Sequence, residues 1–245
     1  MSNGIPEDTV AEMVGAEHVL SAAINFAGTF KGPGVTEATS NFRAAPAVFH
    51  LGEYSGPTTE RAKEVCKVLN CVGPVKLSDN MRGMKWTKLM TNASFSGMSA
   101  VTGCTFAEAS ADDRSYTCVR YLALEVAKVI EAQGLTPVAW LGGIIPTVKN
   151  LAFSSRRELF ATIPELREER KTNHGLASML QDIRSGRLPT EINELNGKVV
   201  TTAAKYGIPV PFNAKVVDIV HKIEKRELQP SWNNLRLFEF PPLPA

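Results

Sequence analysis

A long amphipathic pattern places the strongest constraint on how this chain can fold. Within residues 112–133 the apolar side chains recur at helical spacing and form one stripe, which comprises Val119, Leu122, Val126, Val129 and Ile130. Gly134 follows, and glycine is the residue that most often ends a helix. Because a helix of this kind is stabilised mainly by covering its apolar face, the pattern predicts a long central helix inside a packed helical domain.

The part of the chain before residue 80 has a different pattern. Pro6 followed by two acidic residues is typical of a helix start, and we expect this helix to run to about residue 14. Apolar and β-branched stretches predict strands over 18–30, 35–39, 47–53 and 72–77. Apolar residues at helical spacing predict a helix over 57–69, and Gly32-Pro33-Gly34 is a turn signal.

These patterns divide the chain into three parts. Residues 1–79 are predicted to form an α/β portion whose sheet looks like half of a larger one, and residues 80–228 an all-α domain. Residues 229–245 form a tail that is too rich in proline to continue a helix. No GxGxxG turn, the phosphate-binding element of dinucleotide-binding folds, occurs in the sequence.

Composition excludes several classes of protein. Lys and Arg number 27 against 25 Asp and Glu, and this net charge of +2 gives no support to a nucleic-acid partner. No apolar run reaches the roughly 18–20 residues of a membrane helix, and the first eight residues lack the features of a signal peptide. The four cysteines and four histidines have no metal-ligand spacing, which predicts no metal site and a reduced, cytoplasmic chain.

The segment from Lys85 to Ser96 is the first that could carry chemistry. On an α-helix Lys88, Asn92 and Ser96 stand at i, i+4 and i+8, so an amine, an amide and a hydroxyl share one face. Such a row can donate hydrogen bonds to a carbonyl and a carboxylate, and a lysine in a cleft can protonate a developing alkoxide. The same spacing is typical of the solvated face of an amphipathic helix, and spacing does not choose between the two.

A second polar segment covers residues 178–197. Thr190 is the type of residue that caps helices, which predicts a helix over 190–206 with Glu191 at its first position, near the positive end of the dipole. Before it, Ser178, Gln181 and Asp182 form a dense polar set that suits either helix capping or substrate contact. Spacing alone also allows Glu191 to be no more than a favourable acid in a first helical turn.

Taken together, several stretches are similar to the ketopantoate reductase (2-dehydropantoate 2-reductase) family. They are Asn3-Gly4, the stretch KWTKLMTNASFSGMSAVTG from Lys85, the stretch SMLQDIRSGRLPTEINELNG from Ser178, Gly32-Pro33-Gly34, and Gly207-Ile208-Pro209-Val210-Pro211. Their order and spacing agree from Asn3 to about Glu227, and the stretch from Ser178 is the most specific.

The resemblance implies a fold and an activity. The fold is a Rossmann-type domain, of which residues 1–79 are the second half, followed by a helical domain like the C-terminal domain of 6-phosphogluconate dehydrogenase, with the active site in the cleft between them. The activity is the NADPH-dependent reduction of 2-dehydropantoate, or a similar small 2-keto acid, to the 2-hydroxy acid in pantothenate biosynthesis. A cytoplasmic enzyme with a small-molecule substrate is implied, and a homodimer is compatible with it.

The same resemblance assigns roles to single residues. Lys88 matches the general acid, and Glu191 matches a catalytic residue at the cofactor ribose. Asn92 and Ser178 match substrate-binding residues, and Asn3 matches an asparagine beside the nicotinamide.

The chain also departs from the family pattern. Ser96 stands where a second substrate-binding asparagine is usual, and Phe106 stands near the place of a further one, so the identity of the keto acid does not follow. The family's glycine-rich turn precedes Asn3 by about three βα units, or about 90 residues. We therefore expect a fragment, a start-site error or a shortened relative, with weak NADPH binding of its own. Two alternatives stay open, namely a non-catalytic remnant that serves as an association module and a reductase of another keto acid.

Overall fold

The computed structural model describes residues 3–26, 28–38, 47–140, 143–161 and 175–244. The chain divides into two compact units, Met1–Lys85 and Trp86–Ala245. A small partial sheet lies in the first unit and helices dominate the second, which confirms the predicted fold class of an α/β portion followed by a helical portion.

The first unit combines a three-stranded sheet with a separate hairpin. Its elements are α1 (Pro6–Val14), a 3₁₀ turn (Ala16–His18), β1 (Leu20–Ile24), β2 (Gly28–Gly32), β3 (Val35–Ala38), β4 (Phe49–Glu53), α2 (Glu60–Leu69) and β5 (Val75–Leu77). In the sheet β4 lies in the middle, antiparallel to β1 and parallel to β5. The hairpin consists of β2 and β3.

The prediction of a single strand over 18–30 is wrong. The segment forms two strands with different partners, because β1 pairs with β4 whereas β2 pairs with β3 across the turn at Pro33 and Gly34. Each pairing satisfies the backbone groups of one half of the segment, so the chain has to leave one sheet before it enters the other.

The middle strand β4 approaches the following segment very closely. A Cβ atom at Gly52 would lie 2.0 Å from the carbonyl oxygen of Ser78 and 2.9 Å from Cγ of Met81. The Ser78 backbone N–H also donates to the Leu51 carbonyl at 2.9 Å, which extends the pairing of β4 beyond β5. Glycine is therefore required at position 52 by space and not by backbone conformation.

The helical elements of the second unit follow one another with short connections. They are the greater part of α3 (Met81–Thr91), a π turn (Asn92–Ser96), α4 (Gly97–Thr102), α5 (Phe106–Ala111), α6 (Asp113–Ala132), α7 (Val148–Leu151), α8 (Arg156–Ala161), α9 (Ser178–Ser185), α10 (Asn196–Lys205), α11 (Pro211–Glu224) and a 3₁₀ turn (Trp232–Leu237). None of the helices among the described residues has the length and apolar character needed to cross a bilayer.

The predicted long helix is confirmed as α6. Asp112 caps it by accepting a hydrogen bond from the Ser115 backbone N–H at 2.8 Å, and the whole predicted apolar stripe is buried. The helix packs against the π turn and against α4, α5, α7, α10 and α11. It therefore contacts most of the other helices of the second unit.

The proline-rich tail packs onto the helical unit. The Asn234 side chain donates to the carbonyl oxygens of Val101 and Gln229 at 2.9 and 2.8 Å. Phe238 is 5% exposed, and its ring stacks on that of Phe212 with 5.8 Å between the centroids. Backbone and aromatic contacts thus make the tail part of the second unit's core.

Candidate active site

Helix α3 carries Lys88 at the margin of a buried surface. Trp86 and Leu89 are buried on either side of Thr87 and Lys88, whereas Lys88 itself is half-buried. Two threonines on the same helix bind a neighbouring segment, since Thr87 Oγ1 accepts from the Val138 backbone N–H at 3.1 Å and Thr91 Oγ1 accepts from the Trp140 indole at 2.6 Å. These contacts fix the rotation of α3 about its axis and therefore the position from which Lys88 projects.

A π turn interrupts the helix directly after α3. The Gly97 backbone N–H donates to the carbonyls of Asn92, five residues back, and Ser94, three residues back, instead of to the carbonyl four residues back. The prediction that Lys88, Asn92 and Ser96 share one face of a continuous α-helix is therefore wrong for Ser96. Asn92 still lies one helical turn after Lys88, but Ser96 follows a wider turn and is buried.

The structure joins two predicted site residues directly. Ser178 is the first residue of α9, and its hydroxyl donates to Oε1 of Glu191 at 2.9 Å. Ser178 is exposed and Glu191 is half-buried, so this pair lies at the surface of the second unit.

The prediction of a helix that begins at Glu191 is wrong, although Thr190 makes the capping contact expected of it, since its Oγ1 accepts from the Ile192 backbone N–H at 3.3 Å. Residues 191–195 form a turn, and α10 begins only at Asn196. The backbone N–H and the hydroxyl of Thr190 also donate to Oε1 of Glu224, at the end of α11, at 2.7 and 2.8 Å. Glu191 therefore opens this single turn and not α10 itself, since its carbonyl accepts from the Leu195 backbone N–H at 3.1 Å, and its carboxylate accepts from Ser178.

Packing brings the two motif segments onto adjoining elements of the second unit. Helix α9, which begins with Ser178, packs against the π turn and against α4. The segment that follows Glu191 also reaches the π turn, since Nδ2 of Asn196 donates to the carbonyl of Ala93 at 3.0 Å. The sixth predicted residue, Asn3, belongs to the first unit, where it is half-buried and precedes Gly4, whose φ is 72°.

Sequence reasoning missed a buried polar chain behind the π turn. Asn196 donates to Oδ1 of Asn213 at 2.9 Å, and Nδ2 of Asn213 donates to Glu125 at 2.8 Å. All three side chains are buried, and burial raises the pKa of the Glu125 carboxyl despite the hydrogen bonds that it accepts. The sequence signal that could have revealed this chain is a polar residue inside an apolar pattern. Asn196 directly follows Leu195, and Glu125 directly precedes Val126.

Cys104 and Cys118 have the environment of packing residues, whereas Cys66 is half-buried and Cys71 is exposed. All four thiols are free, and burial raises the pKa of the Cys104 thiol to about 11 and raises that of Cys118 further. A thiol with a raised pKa is protonated at neutral pH and is a poor nucleophile. Within the ranges that the structure describes, no three of the His, Cys, Asp and Glu side chains are grouped as metal ligands.

Neither helix start of the first unit suits the pyrophosphate of a nicotinamide dinucleotide. Helices α1 and α2 both begin among carboxylates, since Glu7 and Asp8 occupy the first turn of α1, and Glu60 that of α2. Asp79 lies at the same end of α2 and accepts from the Thr58 backbone N–H at 2.7 Å. Lys85 pairs with Glu7 and Lys63 pairs with Glu60. Asp8 and Asp79 would still repel a pyrophosphate, so neither helix start suits it. Each within its own unit, Asn3 offers a carboxamide that can bind an amide, and Glu191 offers a carboxylate that can accept from ribose hydroxyls.

Comparison with known proteins identifies relatives along most of the chain. Residues 80–224 match the family described as "Ketopantoate reductase PanE/ApbA C terminal". The 2-dehydropantoate 2-reductase of Mesorhizobium japonicum is 28% identical over 223 residues, which cover 89% of this chain and 59% of that protein. The corresponding enzyme of Pyrococcus horikoshii is 27% identical, with 87% and 62% covered. The chain thus spans about three fifths of the length of these relatives.

Solved structures share the fold at low sequence identity. The 2-dehydropantoate 2-reductase from Geobacter metallireducens has a TM-score of 0.72 at 22% identity, covering 90% of this chain and 66% of that one. A complex of D-mandelate dehydrogenase with NADH also has a TM-score of 0.72, at 20% identity, covering 92% and 69%. The fold is therefore common to proteins that act on different 2-hydroxy acids or their keto acids.

Proposed function

Since this chain belongs to the ketopantoate reductase family, we propose that its protein reduces a small 2-keto acid to the 2-hydroxy acid with a nicotinamide cofactor. We propose 2-dehydropantoate as the substrate and NADPH as the cofactor, in a cytoplasmic, homodimeric enzyme of pantothenate biosynthesis. The observation that carries this proposal is the hydrogen bond of 2.9 Å between Ser178 and Glu191. It joins the residues to which the family pattern gives substrate and cofactor contacts.

Each candidate residue has a chemical task in this proposal. The bound cofactor supplies the hydride that adds to the carbonyl carbon. Lys88 donates a proton to the carbonyl oxygen as it becomes an alkoxide, and its positive charge stabilises the negative charge that develops there. Asn92, one turn along the helix, donates a hydrogen bond from its amide to the same substrate and holds it in register with Lys88.

The direction of the hydrogen bond from Ser178 to Glu191 favours a substrate that carries a hydroxyl group. An ionised carboxylate only accepts hydrogen bonds, so the Ser178 proton is engaged with Glu191 and the serine oxygen presents its lone pairs. A hydroxyl on the substrate can donate to that oxygen. This supports 2-dehydropantoate, a hydroxy keto acid, over keto acids that have no second donor.

A reductase of another keto acid is the second candidate, and one observation favours it. Phe106, near the place of a family asparagine, packs edge-on against Phe95 of the π turn with 6.4 Å between the ring centroids. An aromatic side chain cannot make the hydrogen bonds of an asparagine and favours an apolar or aromatic substrate group instead. The third reading, a non-catalytic association module, predicts no turnover at all.

The test is an assay of the protein at its natural full length. Oxidation of NADPH and of NADH should be followed with 2-dehydropantoate, with phenylglyoxylate and with pyruvate. We expect the highest kcat/KM with 2-dehydropantoate and NADPH. A preference for phenylglyoxylate would contradict 2-dehydropantoate as the substrate and support the second candidate, a reductase of another keto acid. If no keto acid caused oxidation of either cofactor, the reductase proposal would fail and the non-catalytic association module would be supported.

A further inference from the structure

We infer that Asn196 is a positioning residue of this site, because its carboxamide holds open the π turn that sets Asn92 relative to Lys88. The inference rests on the proposed function for its effect on catalysis, but not for its effect on the turn. Asn196 is fully buried and stands at the start of α10, and it is not among the residues assigned to substrate or cofactor.

The π turn creates a need that Asn196 meets. In an α-helix the Gly97 N–H would donate to the carbonyl of Ala93, four residues back. It donates instead to the carbonyls of Asn92 and Ser94, so the Ala93 carbonyl loses its regular partner inside a buried segment. Nδ2 of Asn196 donates to this carbonyl at 3.0 Å. A buried carbonyl left without a donor is costly, so this contact favours the π turn over a regular helix.

The buried polar chain fixes which way the Asn196 amide points. Glu125 accepts from the backbone N–H groups of Phe212 and Asn213, both at 2.9 Å, at the start of α11. Glu125 also accepts from Nδ2 of Asn213, so the Asn213 oxygen faces Asn196 and can only accept. Asn196 must therefore direct its nitrogen toward the two oxygens of Asn213 and Ala93.

The other end of the Asn196 amide supports the same conclusion. Its Oδ1 is buried and has no hydrogen-bond partner among the described residues. A buried amide oxygen without a donor costs free energy, so the hydrogen bonds that Nδ2 of Asn196 donates have to offset this cost. The donor is the group that reaches the π turn.

Tight packing after the turn transmits any change toward the site. A Cβ atom on Gly97 would lie 3.0 Å from Oδ1 of Asn196 and 3.1 Å from Cγ1 of Val216. Helix α4 therefore packs closely against Asn196 and α11 on this side. If the π turn closed to an α-helix, the rotation would be absorbed by residues 88–96, where Lys88 and Asn92 lie.

The test compares Asn196→Asp with Asn193→Asp by hydrogen exchange of the full chain. The aspartate at position 196 places an oxygen against the oxygens of Ala93 and Asn213, and we expect exchange of amides 93–97 to rise about tenfold or more while amides 119–130 of α6 keep their protection. Asn193 is an exposed residue of the preceding turn, and its Oδ1 lies 3.0 Å from Nε2 of His221, a contact that aspartate retains. We expect no change in that variant. If amides 93–97 of Asn196→Asp exchanged at the wild-type rate, the inference would be wrong.

A second variant guards against global unfolding of Asn196→Asp. Gly97→Ala leaves Asn196 in place and presses on its Oδ1, so exchange at 93–97 should again rise. Gly197→Ala is its matched control, because the nearest atom to that new Cβ, the Ile192 carbonyl oxygen, is 3.4 Å away. If Gly97→Ala behaved like Gly197→Ala, the coupling of Asn196 to the turn would be refuted.

Kinetics then separate positioning from a loss of folded protein. In Gly97→Ala and Asn196→Asp the KM for the keto acid should rise and kcat should fall, while the KM for the cofactor stays unchanged. A reduced folded fraction lowers the apparent kcat alone and would refute a positioning role. If the unaltered protein reduces no keto acid, the proposed function fails, and the exchange experiment still decides whether Asn196 maintains the turn.

Discussion

Replacing Phe238 by alanine should strongly destabilise the helical unit, although this residue lies in the proline-rich tail. Its ring is 5% exposed and stacks on Phe212, whose backbone N–H binds the buried Glu125. Truncating a buried phenylalanine to alanine costs about 3–5 kcal/mol. Because a tail segment can partly close the gap, we expect the lower end, about 3 kcal/mol, which for a unit of this size lowers the melting temperature by about 6–12 °C.

The assay is thermal unfolding of the chain followed by circular dichroism, with Leu237→Ala as the matched control. Leu237 is the preceding residue and is 41% exposed, so its truncation should change stability by no more than about 0.5 kcal/mol. If Phe238→Ala melted at the same temperature as Leu237→Ala, the tail would not be part of the core, and the reasoning from burial would be refuted.

Three further predictions concern the sheet, the buried network and the site. Gly52→Ala should unfold the first unit, because the new Cβ would lie 2.0 Å from the Ser78 carbonyl oxygen, and a native-like circular dichroism spectrum with unchanged melting would contradict this. Burial raises the pKa of the Glu125 carboxyl, so this group binds its proton more tightly in the folded chain than in the unfolded chain. The contribution of Glu125 to the free energy of unfolding therefore falls as pH rises through and above 4.5, the ordinary pKa of the group. The stability of the wild type relative to Glu125→Gln should therefore decrease over that rise, and parallel pH profiles from denaturant unfolding would refute it. Ser178→Ala removes one exposed hydrogen bond to Glu191, so the KM for the keto acid should rise by about 2- to 10-fold with the melting temperature unchanged, and an unaltered KM would exclude substrate contact.

Elements with a clear hydrophobic periodicity or start signal in their own sequence could be predicted. The stripe from Val119 to Ile130 specifies α6 without help from the rest of the chain, and Pro6 with its two acids marks the start of α1 where the structure has it. Strand boundaries were less certain, because the segment over 18–30 is apolar throughout and nothing local in it says that β1 and β2 have different partners.

The errors at the candidate site have a common physical cause. The π turn at Asn92–Ser96 depends on a donor from Asn196, which is 103 positions away, and Thr190, just before the turn that delays α10, donates to Glu224, which is 34 positions away. Local propensity favours a continuous α-helix in both places, and tertiary hydrogen bonds override it. The pairing of Ser178 with Glu191 likewise requires the folded turn between them, so the residues could be proposed from the family pattern but their contact could not.

The most direct test of this account is the turnover of Lys88→Ala in the full-length protein with 2-dehydropantoate and NADPH. Lys205→Ala is the control, because Lys205 is an exposed lysine at the end of α10. Loss of a general acid predicts that kcat falls by about 10²–10⁴-fold at an unchanged melting temperature. If Lys88→Ala turned over as fast as Lys205→Ala, Lys88 would be a surface lysine and the proposed site would be wrong.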